Sequence, residues 1–171
     1  MPILERLRAD HADALLAFEQ ANRVYFARSI PDRGDAYFAE FAVRHQALLA
    51  EQDAGVCHFH VILNEEGELI GRINLVDVAQ GSAELGYRIG ESAAGRGLAT
   101  AAVRQMCRLA GTTYGLVALA AKTTLDNRAS RTVLDRNGFT TTGTLTLDGR
   151  PGVRYRRAGL GELGTPGEPG D

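Results

Sequence analysis

One segment near the middle of the chain joins a strand pattern to a helix pattern through a turn that contains two glycines. From Ala83 to Ile89, apolar and polar residues alternate with the period of two that is typical of a half-buried strand. After Gly95 and Gly97, apolar residues recur at helical spacing from Leu98 to Ala110. A helix that begins at a bare glycine turn presents unbonded N–H groups and the positive end of its dipole to any anion nearby. The segment therefore predicts a site for a phosphate or pyrophosphate group.

The rest of the chain alternates strand and helix patterns in the order β-α-α-β-β-β-α-β-α-β-β. Hairpin patterns on both sides of the glycine turn indicate an α+β (mixed α/β) domain with one central, mostly antiparallel sheet of about seven strands and about four helices. We place this single domain at residues 2–160 and expect a disordered tail at 161–171, which is rich in Gly, Pro and Glu. The first expected helix ends near Asn22. Three more are expected at Asp35–Gln52, Leu98–Ala110 and Asn127–Asn137, and the pattern at Val24–Ile30 is ambiguous. The expected strands include Leu116–Ala121 and a last hairpin of Thr140–Leu147 with Val153–Arg157.

Composition excludes several classes of protein. The 171 residues suit one domain with a core of useful size, and a net charge of −2 gives no sign of a nucleic-acid-binding surface. Cys57 and Cys107 lie in apolar contexts without metal-ligand spacing, which is typical of buried thiols in a reducing compartment. The first residues show no signal-peptide pattern and no apolar run approaches about 20 residues. We expect a cytoplasmic protein with no metal, no membrane partner and no nucleic-acid partner.

Two common phosphate-binding patterns fit this chain poorly. A Walker A loop needs Gly-Lys-Ser/Thr, which is absent from the sequence. A dinucleotide fingerprint needs a third glycine where Thr100 stands, and a strand ending in Asp or Glu about twenty residues later. The next strand instead runs into Lys122. Neither pattern accounts for the glycine turn.

A third pattern combines four segments that occur in a characteristic order and spacing. They are Glu84–Tyr87 (Glu-Leu-Gly-Tyr), Ala94–Thr100 with its two glycines, Asp126–Ser130 and Asn137–Phe139. Together they resemble the GNAT superfamily of acetyl-CoA-dependent N-acetyltransferases, and most closely the branch that acetylates N-terminal alanines of ribosomal proteins. The resemblance covers nearly the whole chain to about Leu160.

The resemblance implies a binding site for acetyl-CoA as co-substrate. The strand at Ala83–Ile89 would splay from the strand at Leu116–Ala121, and acetyl-CoA would lie in the V between them. Backbone groups of the first strand and the Asn127 side chain would bind the pantetheine arm, and N–H groups of the glycine turn would hold the pyrophosphate. The implied cofactor-binding residues are Tyr87, Arg88, Ile89, Gly95, Arg96, Gly97, Leu98, Ala99, Thr100, Asn127, Ser130 and Arg131, with Arg96 and Arg131 reaching phosphates of the nucleotide end.

The sequence departs from the family pattern at two positions. Ser92 replaces the usual Arg or Gln that supports the pyrophosphate, so either Arg96 would carry more of that role or the affinity for acetyl-CoA would be lower. Leu134 replaces the tyrosine that many members use as general acid, and it has no proton to donate. Ser130, implied to lie near the thioester sulfur, is then the better candidate donor. These departures leave open a catalytically silent acyl-CoA-binding module.

Acetyl transfer to an amine needs a base for the amine proton. Glu84 is the candidate base, because it is an acid in an otherwise apolar strand at the edge of the expected cleft. The alternatives are that Glu84 faces solvent or pairs with an arginine. His58, His60 or water are other candidate bases, although two histidines on an exposed strand face is the interpretation we favour. Without a third ligand at sensible spacing, a metal site at this pair is not expected.

The acceptor side is expected near the loop from Arg28 to Asp35, because such loops often carry specificity. The candidate acceptor-binding residues are Tyr25, Phe26, Arg28, Arg33 and Asn74, although surface ion pairs or a satisfied sheet group would explain them equally well. The resemblance favours a peptide or protein N-terminus as acceptor. A small amine such as an antibiotic, a polyamine or an amino acid is the alternative, and the enzyme would be a monomer or a homodimer.

Overall fold

A computed structural model describes residues 1–162, in which seven strands form one sheet flanked by six α-helices. The strands are β1 (Ile3–Arg6), β2 (His58–Leu63), β3 (Leu69–Ala79), β4 (Ser82–Ile89), β5 (Ala118–Thr124), β6 (Thr140–Leu147) and β7 (Arg150–Arg157). The helices are α1 (Ala12–Ala21), α2 (Arg23–Ala27), α3 (Asp35–Ala39), α4 (Phe41–Asp53), α5 (Leu98–Thr112) and α6 (Arg128–Arg136). Gly161 and Glu162 lie in a short 3₁₀ turn, and the remainder of the expected disordered tail lies outside the described residues.

The sheet has the order β1-β2-β3-β4-β5-β7-β6, and every neighbouring pair is antiparallel except β4 with β5. This confirms the expected mostly antiparallel sheet of about seven strands. The parallel pairing joins only Ser82–Glu84 to Ala118–Ala120. Both strands continue beyond it, to Ile89 and Thr124. The expected V therefore opens between β4 and β5 after Glu84.

Two clusters of apolar side chains form the core, one on each face of the sheet. On the first face, α5 and α6 bury a large cluster that includes Leu85, Met106 and Leu134. On the second face, α1, α3 and α4 cover β1 to β3 over a smaller cluster that includes Leu15 and Phe59. Within residues 1–162, no helix has the length and apolar content needed to cross a membrane.

The helix expected at Asp35–Gln52 is divided by a bend at Glu40, where φ is −104° and ψ is 16°. Hydrogen bonding of the helical kind continues through the bend, because Glu40 N–H donates to Ala36 C=O (2.9 Å) and Arg44 N–H donates to Glu40 C=O (3.0 Å). The apolar periodicity runs on without interruption, so the sequence carries no sign of the break. The ambiguous stretch that begins at Val24 is helical as far as Ala27.

Strand boundaries differ from expectation on the β5–β7–β6 side. Strand β5 begins at Ala118, because Leu116 N–H still bonds to the end of α5, at Ala110 C=O (2.8 Å). Strand β7 begins at Arg150 and not at Val153, because Asp148 and Gly149 alone form the hairpin turn. Both have positive φ, 48° and 77°, which is the conformation that a two-residue Asp-Gly turn requires.

Candidate active site

The gap between β4 and β5 exposes backbone groups that have no partner strand. Gly90 N–H donates to Ile70 C=O (2.8 Å), and Arg88 is opposite Arg72 in the antiparallel ladder. Because bonded pairs alternate along such a ladder, the backbone of Arg88 bonds to β3, whereas the N–H and C=O groups of Tyr87 and Ile89 point toward the gap. The backbone of Arg88 is therefore engaged with β3, and Tyr87 and Ile89 are the candidates to offer backbone groups to a ligand.

The glycine turn after β4 has the geometry expected of an anion site. Gly95 and Gly97 have φ of 75° and 73°, and Gly97 is the N-cap of α5. A Cβ at either position would meet nothing within 4 Å, so the space in front of the turn is open. The first intrahelical bond runs from Ala101 N–H to Gly97 C=O (3.1 Å), which leaves the N–H groups of the first turn without an intrahelical acceptor. Those groups belong to Leu98, Ala99 and Thr100, and the side chains of Ser92 and Arg96 are exposed beside them.

Asn127 and Ser130 meet at the start of α6, on the first face of the sheet. Asn127 Oδ1 accepts the Ser130 N–H (3.2 Å), which confirms Asn127 as the cap of this helix. The Tyr87 hydroxyl donates to Ser130 Oγ (3.2 Å), and burial raises the pKa of this phenol, so it stays protonated. Because Ser130 Oγ accepts from Tyr87, its own proton is available to a third group. Sequence reasoning placed Tyr87 here for its backbone and missed this side-chain contact.

Glu84 projects from the second face of the sheet, near the point where β4 and β5 part. Its Oε1 lies 3.3 Å from Lys122 Nζ on β5, and its side chain keeps 30% of its exposure. Glu84 therefore forms an ion pair, which was the alternative to a catalytic role, but its partner is a lysine and not an arginine. Among the described residues, no cluster of three His, Cys, Asp or Glu side chains is arranged to hold a metal ion.

Two further positions on α6 have structural contacts. Leu134 is fully buried in the first-face core, which is consistent with its having no chemical role. Arg131 donates from Nε to the Tyr155 hydroxyl (3.1 Å) and from Nη1 to Leu125 C=O (3.2 Å). It would have to release these groups to reach a phosphate.

A pocket between α5 and the end of α6 concentrates positive charge that the sequence did not single out. Arg104, Arg108, Arg136 and Arg157 line it together with Asn137 and Gly138. Asn137 Nδ2 donates to Thr100 C=O (3.2 Å), so the pocket is close to the first turn of α5.

The two strand histidines lie on the face opposite to Glu84, and one of them is buried. His60 is opposite Ile73, which in turn is opposite Tyr87, so all three project from the first face. His60 Nε2 bonds to the Tyr114 hydroxyl (2.7 Å), and burial, assisted by nearby Arg6, lowers the pKa of His60 to about 4. The interpretation of both histidines as exposed is wrong, because Tyr114, two residues after α5, covers His60 and leaves His58 half-buried. His58 stacks on the same tyrosine ring at 3.7 Å.

A small cleft on the second face is lined by Phe26, Arg33 and Arg88, among others. Glu19 also lines it, and its side chain is 1% exposed and accepts from Arg72 (3.1 Å) and Arg88 (3.1 Å). Arg33 Nε lies 3.8 Å from the same carboxylate. Sequence reasoning missed Glu19, although an acid one helical turn after buried Leu15 on the apolar stripe of α1 was a usable signal.

The other expected acceptor residues, which are Asn74, Tyr25 and Arg28, do not line this cleft. Asn74 is half-buried beside Gly86 on the second face, where its Oδ1 accepts the His60 N–H (3.4 Å). Arg28 is exposed and lies 3.9 Å from Glu91, and its guanidinium faces the Tyr25 ring at 5.9 Å. The structure thus brings Phe26 and Arg33 together and leaves Tyr25 and Arg28 outside.

Comparison with known proteins agrees with this architecture. The acetyltransferase (GNAT) domain family matches residues 3–140. A Bacillus licheniformis protein described as uncharacterized N-acetyltransferase p20 is 33% identical over 89 residues, and the alignment covers 51% of this chain and 50% of that relative. This chain thus spans about half the length of the curated relative it matches.

Solved structures share the fold over most of the chain. Ribosomal-protein-S5-alanine acetyltransferase from Vibrio fischeri superposes with a TM-score of 0.85 at 18% identity, over 92% of this chain and 93% of that one. Mycobacterium smegmatis RimJ in complex with CoA-disulfide gives 0.82 at 25% identity, over 94% and 86%. Spermidine N-acetyltransferase from Vibrio cholerae, in complex with CoA and spermine, gives 0.78 at 17% identity, over 95% and 98%. With the family match covering most of its length, the chain belongs to the GNAT acetyltransferase family.

Proposed function

We propose that this chain transfers the acetyl group of acetyl-CoA to the α-amino group of a peptide or protein N-terminus, by direct attack of the amine on the thioester. The gap between β4 and β5 is the observation that carries the proposal, because unpaired backbone groups line it and the anion site at the start of α5 follows it. The gap connects the face that holds Ser130 to the face that holds Glu84.

Two parts of the site bind acetyl-CoA, the acetyl donor: the free backbone groups of β4 and the first turn of α5. Tyr87 and Ile89 offer N–H and C=O groups to the amides of a pantetheine arm, as an added strand would. The free N–H groups of Leu98, Ala99 and Thr100 are the donors proposed for the pyrophosphate. Acetyl-CoA supplies the activated acyl group, and the CoA-disulfide bound in the Mycobacterium smegmatis RimJ structure supports a CoA-binding site in this fold.

The two faces of the gap supply the two proton-handling groups. Glu84 accepts the proton that the amine loses as its nitrogen bonds to the thioester carbon, either directly or through one water. Ser130, whose oxygen is held by Tyr87, donates a hydrogen bond to the sulfur as the carbon–sulfur bond breaks. Each of these roles is a proposal that rests on position and hydrogen bonding.

The charges around Glu84 favour an α-amine over a polyamine or a lysine side chain. An α-amine has a pKa of about 8, compared with about 10.4 for a lysine side chain, so less work is needed to deprotonate it. Lys122 and Arg88 lie on the same face as Glu84, and nearby cations make an ammonium group easier to deprotonate. The similarity to a ribosomal-protein alanine acetyltransferase points the same way, whereas the similarity to a spermidine N-acetyltransferase keeps a small amine as the alternative.

The test has two steps that separate the proposal from its rivals. Isothermal titration measures acetyl-CoA binding, and mass spectrometry then measures acetylation of peptides with free N-termini, of peptides with blocked N-termini and one lysine, and of spermidine. The proposal expects binding and acetylation of free N-termini alone. Binding without transfer to any amine would identify a silent module, and preferred transfer to spermidine would identify a small-amine enzyme.

A further inference from the structure

Strands β5 and β7 carry a row of cations on the second face of the sheet, next to Glu84. Ala120 of β5 is opposite both Glu84 and Arg156, and Lys122 is opposite Arg154. Directly opposed residues project from the same side of a sheet, so Lys122, Arg154 and Arg156 share the side of Glu84. All three are exposed, and we call them the basic face.

Carboxylates neutralise little of the basic face. Among the described residues, Arg154 and Arg156 form no ion pair, and Lys122 has Glu84 as its partner. Several other surface arginines do pair, such as Arg23 with Asp32 (2.8 Å) and with Asp35 (2.8 Å). The exposed Arg104, Arg108 and Arg136 also form no ion pair among the described residues, but they line the separate pocket between α5 and α6. Within residues 1–162, the basic face is therefore one of two clusters of unpaired cations, and it is the one next to Glu84.

The opposite wall of the acceptor side also carries surplus positive charge. Arg72, Arg88 and Arg33 surround the single carboxylate of Glu19, at 3.1, 3.1 and 3.8 Å. Asp32 also lines this cleft but pairs with Arg23 (2.8 Å), so the arginines around Glu19 keep an excess of positive charge that favours anions. Glu84 thus lies between two positively charged regions on one face of the sheet.

We propose that the acceptor is a polypeptide whose N-terminal amine is followed by acidic residues, and that those residues lie on the basic face. This inference rests on the proposed function and adds the chemical class of the substrate. Complementary charge steers association and disfavours partners of like charge, so a polycation such as a polyamine is disfavoured.

The spacing of the strands predicts which acidic positions of the peptide reach the basic face. Strand β5 lies between β4 and β7, and neighbouring strands are about 4.8 Å apart, so Arg156, which is in register with Glu84 through Ala120, is about 10 Å across the sheet from Glu84. Arg154 is two residues farther along β7, at about 12 Å. An extended peptide advances about 3.3 Å per residue. With the amine at Glu84, the side chains at positions three to five reach the basic face.

The test uses peptides of identical length that begin with Ala or Ser and carry Glu, Gln or Lys at positions three to five. We expect kcat/KM to be about tenfold higher for the Glu peptide than for the Gln peptide at low salt, and lowest for the Lys peptide. The preference should shrink as salt screens the charges. A double variant, Arg154→Gln with Arg156→Gln, should lose most of the preference and keep its rate on the Gln peptide. Arg44→Gln, an exposed arginine on α4, is the matched control and should keep the preference.

Peptide binding is measured separately by fluorescence anisotropy in the presence of CoA, with the fluorophore at the peptide C-terminus. Tighter binding of the Glu peptide than of the Lys peptide, abolished by the Arg154/Arg156 double variant, supports the inference even where turnover is slow. Equal affinity and equal kcat/KM for the three peptides would overturn it. Displacement of the Glu peptide by a single-stranded oligonucleotide at lower concentrations than by an acidic peptide would also overturn it. If no free N-terminus is acetylated while the Glu peptide still binds selectively, the proposed function fails and the basic face stands.

Discussion

Replacing Glu19 by Gln should destabilise this protein strongly, because its carboxylate neutralises buried arginines. Glu19 is 1% exposed, and the side chains of its partners Arg72 and Arg88 are 6% and 16% exposed. The change removes the negative charge and leaves Arg72 buried without a counter-ion. Breaking a buried ion pair in this way costs about 3–5 kcal/mol of the free energy of unfolding.

The hydrogen bonds give an independent magnitude. Glu19 accepts two charge-assisted bonds of 3.1 Å, each worth about 1.5–3 kcal/mol. A glutamine keeps one oxygen, which still accepts from one arginine, so the expected loss is near the lower limit, about 3 kcal/mol. With a urea m-value of about 2 kcal/mol per molar, the midpoint of unfolding should fall by roughly 1.5 M.

The assay is urea unfolding followed by circular dichroism, with Glu40→Gln as the matched control. Glu40 has an arginine partner, Arg44, but the two side chains are 62% and 51% exposed and the atoms are 3.8 Å apart. That control should change the free energy of unfolding by less than about 0.5 kcal/mol. If Glu19→Gln and Glu40→Gln cost the same, the reasoning about a buried charge cluster is refuted.

Three other perturbations probe the site and the core. Ser130→Ala should lower kcat with little change in acetyl-CoA affinity, and Tyr87→Phe, which leaves the serine hydroxyl unheld, should lower it by a smaller factor; wild-type kinetics in both variants would remove the pair from the mechanism. Gly97→Ala should weaken acetyl-CoA binding about tenfold in a titration, because a Cβ at positive φ strains the turn and projects into the open space in front of it; Gly55→Ala, at a φ of 75° away from the site, is the control and should leave affinity unchanged. The depressed pKa of His60, about 4, means that the unfolded chain binds a proton more readily than the folded one between about pH 6.5 and 4, so stability falls as pH falls through that window. At pH 5 this contribution is about 2 kcal/mol relative to pH 7.5, and His60→Gln should remove it from the pH profile of unfolding, whereas an unchanged profile would contradict the assignment.

Features that depend on local backbone chemistry could be predicted from the sequence. Gly95 and Gly97 show positive φ at the start of α5, Asn127 caps α6, and Gly138 ends it with φ of 77°. Each of these signals is contained in a few consecutive residues, where a glycine without Cβ or a short polar side chain determines what the backbone can do. The strand–turn–helix unit was therefore predictable without knowledge of the rest of the sheet.

Pairings between distant segments were not predictable in the same way. The Tyr87–Ser130 and Glu84–Lys122 contacts exist because β4 is next to β5 in the sheet, although α5 separates them along the chain. Strand alternation also places His60 on one face without saying that Tyr114 covers that face. The identity of the covered faces, and thus the exposure of Arg154, follows from the strand order and from which helices pack on which side.

The central claim is that this fold places a carboxylate where the attacking amine loses its proton, and the Glu84→Gln variant tests it most directly. The measurement is kcat for acetylation of an N-terminal peptide, together with the acetyl-CoA dissociation constant of the same variant. We expect kcat to fall by roughly 100-fold, a typical contribution of a general base, with acetyl-CoA affinity unchanged. Glu66→Gln, an exposed acid in the β2–β3 turn, should have wild-type kinetics. Wild-type turnover in Glu84→Gln would contradict the account.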